Sequence, residues 1–162
     1  MFSMMTHSWI GQVHLLASIL SLILGTLILI LTKGTTLHRR IGYFYTVAML
    51  MVNFTAFGIY RLFGGFGPFH ITAIISLISI AGGMLPIYYK HKISGWYIYH
   101  MAFMYYSVIG LYAAFLSEIV TRIPGLNFGL MVGVGTGLVM LVGIIFFQQK
   151  KVKWTRFFKR NE

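Results

Sequence analysis

The sequence predicts an all-α membrane protein: a bundle of five transmembrane helices, with the N-terminus outside and the C-terminus in the cytosol. Of the 162 residues, 58% are apolar and only 9% are charged, whereas soluble domains carry roughly 25% charged residues. The mean hydropathy is +0.82, so the bilayer is the expected solvent. The apolar residues are also grouped into stretches near the ~20 residues that cross the hydrocarbon of a bilayer.

Five such stretches follow one another, separated by short polar connections. The first ten residues contain no Lys or Arg, and no small-residue cleavage site follows the first stretch, so we expect it to be retained as a span rather than removed as a signal peptide. The five spans make up a single domain over 1–149, and a basic cytosolic tail follows. We predict spans over about 8–32, 37–63, 69–89, 94–117 and 124–148, with the tail over 150–162.

The distribution of the net charge of +11 predicts the orientation. The connections after the first and third spans, the start of the second span and the tail hold all the Lys and Arg residues except Arg61 and Arg122. Cytoplasmic segments of membrane proteins are enriched in Lys and Arg, which places the tail inside. The tail also interleaves aromatic residues with its basic ones, as in KKVKWTRFFKR. This pattern predicts anchoring at the lipid surface and no nucleic-acid binding.

One histidine lies near the start of each of the first four spans: His14, His38, His70 and His100. Because successive spans run in opposite directions, His14 and His70 belong to the outer half, and His38 and His100 to the inner half. His14 lies 19 residues before Lys33, and His70 lies 20 residues before Lys90. At about 1.5 Å of rise per residue, the two outer histidines match in depth. The inner two match similarly when they are counted to Arg61 and Arg122.

Two depth-matched histidine pairs on parallel helices fit bis-imidazole ligation of two b haems. Arg39 and Arg40 adjoin His38, and Arg61 lies near the outer end of its span, so cations are available for the haem propionates. Asn53 shares a helix face with His38 and is a candidate for hydrogen bonding around a site. On this interpretation the protein transfers electrons across the membrane as an oxidoreductase, with a quinone or an external ferric species as its redox partner.

Two alternatives predict different chemistry. His14, His70 and Glu118 all lie toward the outer side, and two histidines with one carboxylate are a ligand set for Zn or Fe. The sequence also lacks the motifs of soluble-type enzymes, and a transporter, scaffold or assembly subunit without a cofactor is the second alternative. A stripe of small residues predicts close approach of a neighbouring helix or of a second protomer in a homo-oligomer. The stripe consists of Gly125, Gly129, Gly133 and Gly137.

The chain as a whole resembles an uncharacterised family of small bacterial multi-pass membrane proteins. The resemblance is carried by KGTTLHRRIGYFY at 33–45, PFH at 68–70 and HMAFMYYSVIGLYAAFLSE at 100–118. It implies a multi-pass protein of the cell membrane and supplies no activity. The arrangement of one histidine per helix is similar to that of two-haem transmembrane cytochromes b. That similarity implies one haem between His14 and His70 and another between His38 and His100.

Overall fold

The computed structural model describes residues 8–59, 64–121, 123–125 and 127–159. All regular structure in these ranges is helical, which confirms the all-α prediction. The five helices are α1 (Trp9–Ile30), α2 (Thr36–Ala56), α3 (Pro68–Tyr88), α4 (Trp96–Val120) and α5 (Phe128–Lys159).

Four of the helices are long and apolar enough to cross a membrane: α1, α3, α4 and the part of α5 over Phe128–Arg156. The remaining helix, α2, is 21 residues long but falls short in apolar character. Arg39 and Arg40 occupy its first turns, and Asn53 lies near its end. The prediction of several membrane-spanning helices is therefore confirmed. The composition of α2 does not establish it as a further span.

Two helix boundaries differ from the predicted ones. The predicted second span runs to residue 63, but α2 ends at Ala56, because Phe57 caps the helix and a glycine, Gly58, follows it. Residues 60–63 lie outside the described ranges. The predicted fifth span begins at residue 124, but α5 begins at Phe128, where Asn127 caps it by accepting a hydrogen bond from the Leu130 N–H at 3.1 Å.

The helix α5 also continues through the segment predicted as a separate tail, as far as Lys159. The reason lies in local propensity: Lys, Arg and Gln are good helix formers, and neither Gly nor Pro follows Gly143. The basic residues 150–159 are thus an extension of a spanning helix.

The chain divides into two compact units, Met1–Ile78 and Ser79–Glu162, and the boundary falls inside α3. These two units leave the single domain over 1–149 as a prediction. We call these the N-terminal unit and the C-terminal unit.

In the N-terminal unit, α1 packs antiparallel to α2. Small side chains make the close approach possible, since the buried residues of α1 include Gly11, Ala17, Ser21 and Gly25. Tyr45 of α2 is 0% exposed and anchors the opposite side of this contact. The first residues of α1 thereby lie beside the last turn of α2: the Ile10 side chain lies 3.5 Å from the position of a Cβ on Gly58.

In the C-terminal unit, α4 packs antiparallel to α5 and also contacts the end of α3. The Tyr105 hydroxyl donates to the Gly143 carbonyl at 2.8 Å, and the hydroxyls of Ser117 and Thr136 lie 2.9 Å apart. Phe103 and Met104 of α4 fill the space left by the paired glycines Gly82 and Gly83 of α3. The core of this unit is therefore built along α4.

Large apolar side chains point outward from all five helices. Leu16, Phe44, Ile78, Phe115 and Val142 are examples, each exposed by 45% or more. Scattered exposed apolar residues are ordinary on soluble proteins, but contiguous apolar surfaces mark contact with a partner or a membrane. The outward faces therefore agree with a lipid environment.

Candidate functional site

The last turn of α2 holds the side chain of His14. The His14 Nδ1 and Thr55 Oγ1 atoms lie 2.9 Å apart. The Thr55 hydroxyl directs its own hydrogen to the main chain of α2, where the carbonyls of Met51 and Val52 lie at 2.6 and 3.0 Å. It must therefore accept from His14, whose Nδ1 carries the proton. In a neutral imidazole the other nitrogen, Nε2, then carries the lone pair that a metal requires.

His70 forms the N-terminal cap of α3. The Gly67 N–H donates to His70 Nδ1 at 3.0 Å, and the His70 N–H donates to the Gly67 carbonyl at 3.0 Å. The side-chain bond is one half of a capping box, in which the third helical residue accepts from the N-cap N–H, and Pro68 occupies the first helical position. Because Nδ1 accepts, the proton of neutral His70 is on Nε2. The tautomer of His70 is thus opposite to that of His14.

His70 also packs among aromatic rings at the same end of α2. It is 3% exposed, its ring stacks on Phe66 with centroids 4.9 Å apart, and the Phe57 ring lies at 6.3 Å. The two histidines predicted to share the outer site therefore both contact the end of α2, His14 through Thr55 and His70 through Phe57. We call these five residues, His14, Thr55, Phe57, Phe66 and His70, the α2-end cluster.

His38 lies in the first turn of α2, where its N–H donates to the hydroxyl of the N-cap residue Thr35 at 3.2 Å. It is half-buried, and the adjacent Arg39 and Arg40 are exposed. Both side chains are accessible to solvent, and their role as partners for haem propionates stays a prediction. Arg61, the third predicted cation, lies outside the described residues.

His100 donates a hydrogen bond from Nδ1 to the Gly83 carbonyl at 2.9 Å. A carbonyl can only accept, so the proton is on Nδ1 and the lone pair of the neutral ring is on Nε2. This bond links α4 to α3 within the C-terminal unit. His38 belongs to the N-terminal unit, and the pairing of His38 with His100 stays a prediction.

Asn53 is 2% exposed, and its described hydrogen bond runs along its own helix, from Nδ2 to the Met49 carbonyl at 2.8 Å. Its predicted part in hydrogen bonding around a site stays a prediction. A carbonyl one turn earlier is always within reach of a short polar side chain in a helix. Sequence spacing predicts that Asn53 lies on the buried face of α2, but it does not predict the hydrogen-bond partner of the side chain.

Glu118 is half-buried in α4 and belongs to the C-terminal unit, whereas His14 and His70 belong to the N-terminal one. Within the described part of the chain, no three His, Asp or Glu side chains are grouped so that they would hold a metal ion. The Zn or Fe site of His14, His70 and Glu118 stays a prediction.

Comparison with known proteins identifies the family of this chain. The family described as predicted membrane protein (DUF2306) matches residues 11–149. The chain belongs to the DUF2306 family. This confirms the predicted resemblance to a multi-pass membrane family of unknown function. No curated protein and no solved structure matches the chain, and the similarity to two-haem cytochromes b has no support from these comparisons.

The glycine stripe of this DUF2306 protein is not the surface that packs against α4. A Cβ placed on Gly133 or Gly137 would meet no atom within 4 Å, and Gly125 lies before α5 begins. The packed glycines of α5 are Gly135, close to Ser117 and Val120, and Gly143, close to Ile109. The predicted role of the stripe, close approach of a neighbouring helix or of a second protomer, stays a prediction.

Sequence reasoning did not identify three residues that make the hydrogen bonds described here and below: Thr55, Gly67 and Lys33. Thr55 and Gly67 fix the tautomers of His14 and His70 through hydrogen bonds. No sequence motif predicts these hydrogen-bond partners. Lys33 Nζ donates to the carbonyls of Ile28 and Leu29 at 2.5 and 3.0 Å, which caps the end of α1. Burial lowers the pKa of Lys33 to about 8 from its ordinary 10.5. Its position just beyond a long apolar helix is the one signal that favours a capping role.

Proposed function

We propose that this DUF2306 protein spans the membrane five times, with its N-terminus outside, and binds b haem for transmembrane electron transfer. The observation that supports a haem is the α2-end cluster. It brings histidines from two different helices to the last turn of α2, and one of them, His14, is oriented by a hydrogen bond on Nδ1. A protein hydrogen bond on one ring nitrogen is the usual device that prepares the other nitrogen for a metal.

The case for a fifth span comes from packing. Only residues 31–35 connect α1 to α2, and the far ends of the two helices meet where Ile10 approaches Gly58. An antiparallel partner that follows a membrane-spanning helix along its length must cross the same hydrocarbon. Arg39 and Arg40 then lie at the lipid surface, where their charges remain hydrated.

The orientation follows from charge. With five spans, the Lys and Arg residues of the first and third connections and of the end of α5 share one side, and that side is cytosolic by the positive-inside rule. The α2-end cluster then faces the outer half of the membrane, and His38 and His100 face the inner half.

A bis-imidazole haem supplies one-electron chemistry, since its iron alternates between the ferric and ferrous states. In the outer site, Thr55 holds the His14 ring in place, and Phe57 and Phe66 exclude water from the space beside His70. To hold a haem as a neutral ligand, His70 would need its proton on Nδ1 in place of Nε2, and Nδ1 would then no longer accept from the Gly67 N–H. His38 and His100 form the proposed inner site, with Arg39 and Arg40 as partners for propionates. A quinone remains our proposed redox partner.

The test is the visible spectrum of the purified full-length protein, oxidised and then reduced with dithionite, after expression with excess haem. We expect a sharp Soret band and reduced α and β bands. Metal analysis of the same sample distinguishes haem iron from zinc or non-haem iron bound by His14, His70 and Glu118.

Asparagine variants separate ligation from hydrogen bonding. In H14N the amide nitrogen replaces Nδ1 as donor to Thr55, and in H70N the amide oxygen replaces Nδ1 as acceptor from Gly67, but neither variant retains Nε2. Each should lose the outer haem and retain the inner one. The matched control is H91N, because His91 is exposed in the connection between α3 and α4. Haem loss in H91N equal to that in H14N, or a colourless wild-type protein, would contradict the proposal.

A second candidate function is a cofactor-free scaffold or assembly subunit. The observation that favours it is that His14, His70 and His100 each have a protein partner that stabilises a helix end or a helix contact. A colourless, metal-free protein that assembles correctly would support this candidate. In that case H14N and H70N should preserve stability, whereas H14A and H70A should reduce it.

A further inference from the structure

We infer that the C-terminal unit carries a binding site for the phosphate headgroups of anionic membrane lipids, at the end where α4 begins and α5 ends. This inference does not depend on haem binding. The site is a group of exposed or half-buried cations, which we call the basic end. It consists of Lys90, Lys92, Lys150, Lys151 and Arg156.

The antiparallel packing of α4 on α5 brings these cations to one end. The Trp154 ring lies 5.9 Å from the Tyr105 ring, centroid to centroid, so the basic extension of α5 runs beside the first turns of α4. The connection that precedes α4 holds Lys90 and Lys92, both exposed. Cations from two separate segments of the chain therefore lie around the start of the same helix.

No described carboxylate neutralises this end. The one acidic residue in the described ranges, Glu118, lies near the other end of α4, more than 20 residues beyond Trp96. In addition, α4 begins with an N-cap glycine, Gly95, which has no side chain to cap the helix. The positive end of the α4 dipole thus adds to the positive charge of the side chains.

Helix length places the basic end in the headgroup layer. The 32 residues of α5 extend about 48 Å at 1.5 Å per residue, against a hydrocarbon thickness of about 30 Å. The excess includes the segment with Lys150, Lys151, Trp154 and Arg156. Trp154 packs with Phe146 and Phe147, and Lys150 Nζ lies 5.5 Å from the Phe146 ring centroid. Aromatic rings beside cations on a spanning helix are typical of the lipid interface.

The test uses the full-length protein in mild detergent with equal amounts of phosphatidylglycerol and phosphatidylcholine, and native mass spectrometry counts the bound lipids. We expect a preference for phosphatidylglycerol that weakens with added salt. Each basic residue near an anionic surface contributes about fivefold. The K150Q/K151Q/R156Q variant should therefore reduce the preference by at least about tenfold, and K90Q/K92Q should also reduce it.

The matched control is K150R/K151R, which keeps the charge and should keep the preference. Size-exclusion chromatography checks that each variant is folded, and the salt titration of the wild-type protein tests the inference without any substitution. Equal binding of the two lipids by the wild-type protein would overturn it. So would a preference unchanged in either glutamine variant, displacement of the lipid by free inorganic phosphate at millimolar concentration, or an RNA oligonucleotide that excess phosphatidylglycerol does not displace.

Discussion

At the scale of single residues, hydrogen-bond partners decide what each histidine can do. His14 and His100 donate from Nδ1, and His70 accepts at Nδ1. The four histidines look equivalent in the sequence, but His70 has the opposite tautomer to His14 and His100. The side chain of His70 also takes part in capping α3. The position of a histidine near the start of a span predicts its depth in the membrane. It does not predict which ring nitrogen forms a hydrogen bond with the protein.

Lys33 offers a prediction about pH. Its pKa of about 8 in the folded protein lies below the ordinary 10.5 because burial disfavours the charged form. Between these two values the folded protein has released a proton that the unfolded chain still binds, so stability rises with pH through this window and the desolvation cost is present in full below it. We expect unfolding in detergent to become less favourable as the pH is raised from 8 to 10.

The control is K33R, which keeps a cation and hydrogen-bond donors but does not titrate in this range. The difference in unfolding free energy between the wild-type protein and K33R should change with pH, since other titrating groups cancel in the difference. A second measurement is the NMR titration of ¹³C-methylated lysines. A Lys33 signal that titrates near 10.5, or a difference between the two proteins that is constant with pH, would contradict the prediction.

At the scale of helices, the contact between α4 and α5 depends on Gly143. A Cβ at this position would lie 2.6 Å from Cγ2 of Ile109, and the Gly143 carbonyl accepts the Tyr105 hydroxyl. Overpacking of a tight contact typically costs about 1–3 kcal/mol. We therefore expect G143A to lower the unfolding free energy by this amount and to lower the melting temperature in detergent.

The matched control for G143A is G137A, the same substitution in the same helix. A Cβ at Gly137 meets nothing within 4 Å, so we expect no destabilisation and a gain of up to about 1 kcal/mol from the higher helix propensity of Ala. If G137A were the more destabilising variant, the assignment of the packed face of α5 would be wrong.

The sequence predicted the class and number of the helices well, because apolar stretches and cation-rich connections are direct consequences of bilayer solvation. It did not predict the face of α5 that packs on α4, which carries Gly135 and Gly143. The regular spacing of Gly129, Gly133 and Gly137 marks another face of the helix, and the partner of that face stays a prediction. For the candidate site, His14 and His70 both contact the same end of α2, but Thr55 and Gly67, which set the tautomers of these histidines, have no distinguishing sequence signal.

At the scale of the whole molecule, the number of spans decides which histidines face which side. The chain contains no cysteine, so single cysteines can be introduced and labelled in intact cells with a maleimide that does not cross membranes. Suitable positions are the connections between helices, and we choose T35C, G65C, S94C and P124C. With five spans and the N-terminus outside, G65C and P124C should be labelled in intact cells. T35C and S94C should be labelled only after permeabilisation.

The same four cysteine variants distinguish this topology from two alternative ones. If α2 did not cross the membrane, residues 35 and 65 would lie on one side, and S94C would become accessible from outside in place of G65C and P124C. If five spans were inserted in the opposite orientation, all four results would be reversed. The first outcome would place His70 in the inner half and leave His14 in the outer half, and the second would place both in the inner half, because the depth of each histidine is fixed by its position in its helix. The labelling pattern therefore tests the assignment of the α2-end cluster to the outer half of the membrane, independently of whether haem is bound.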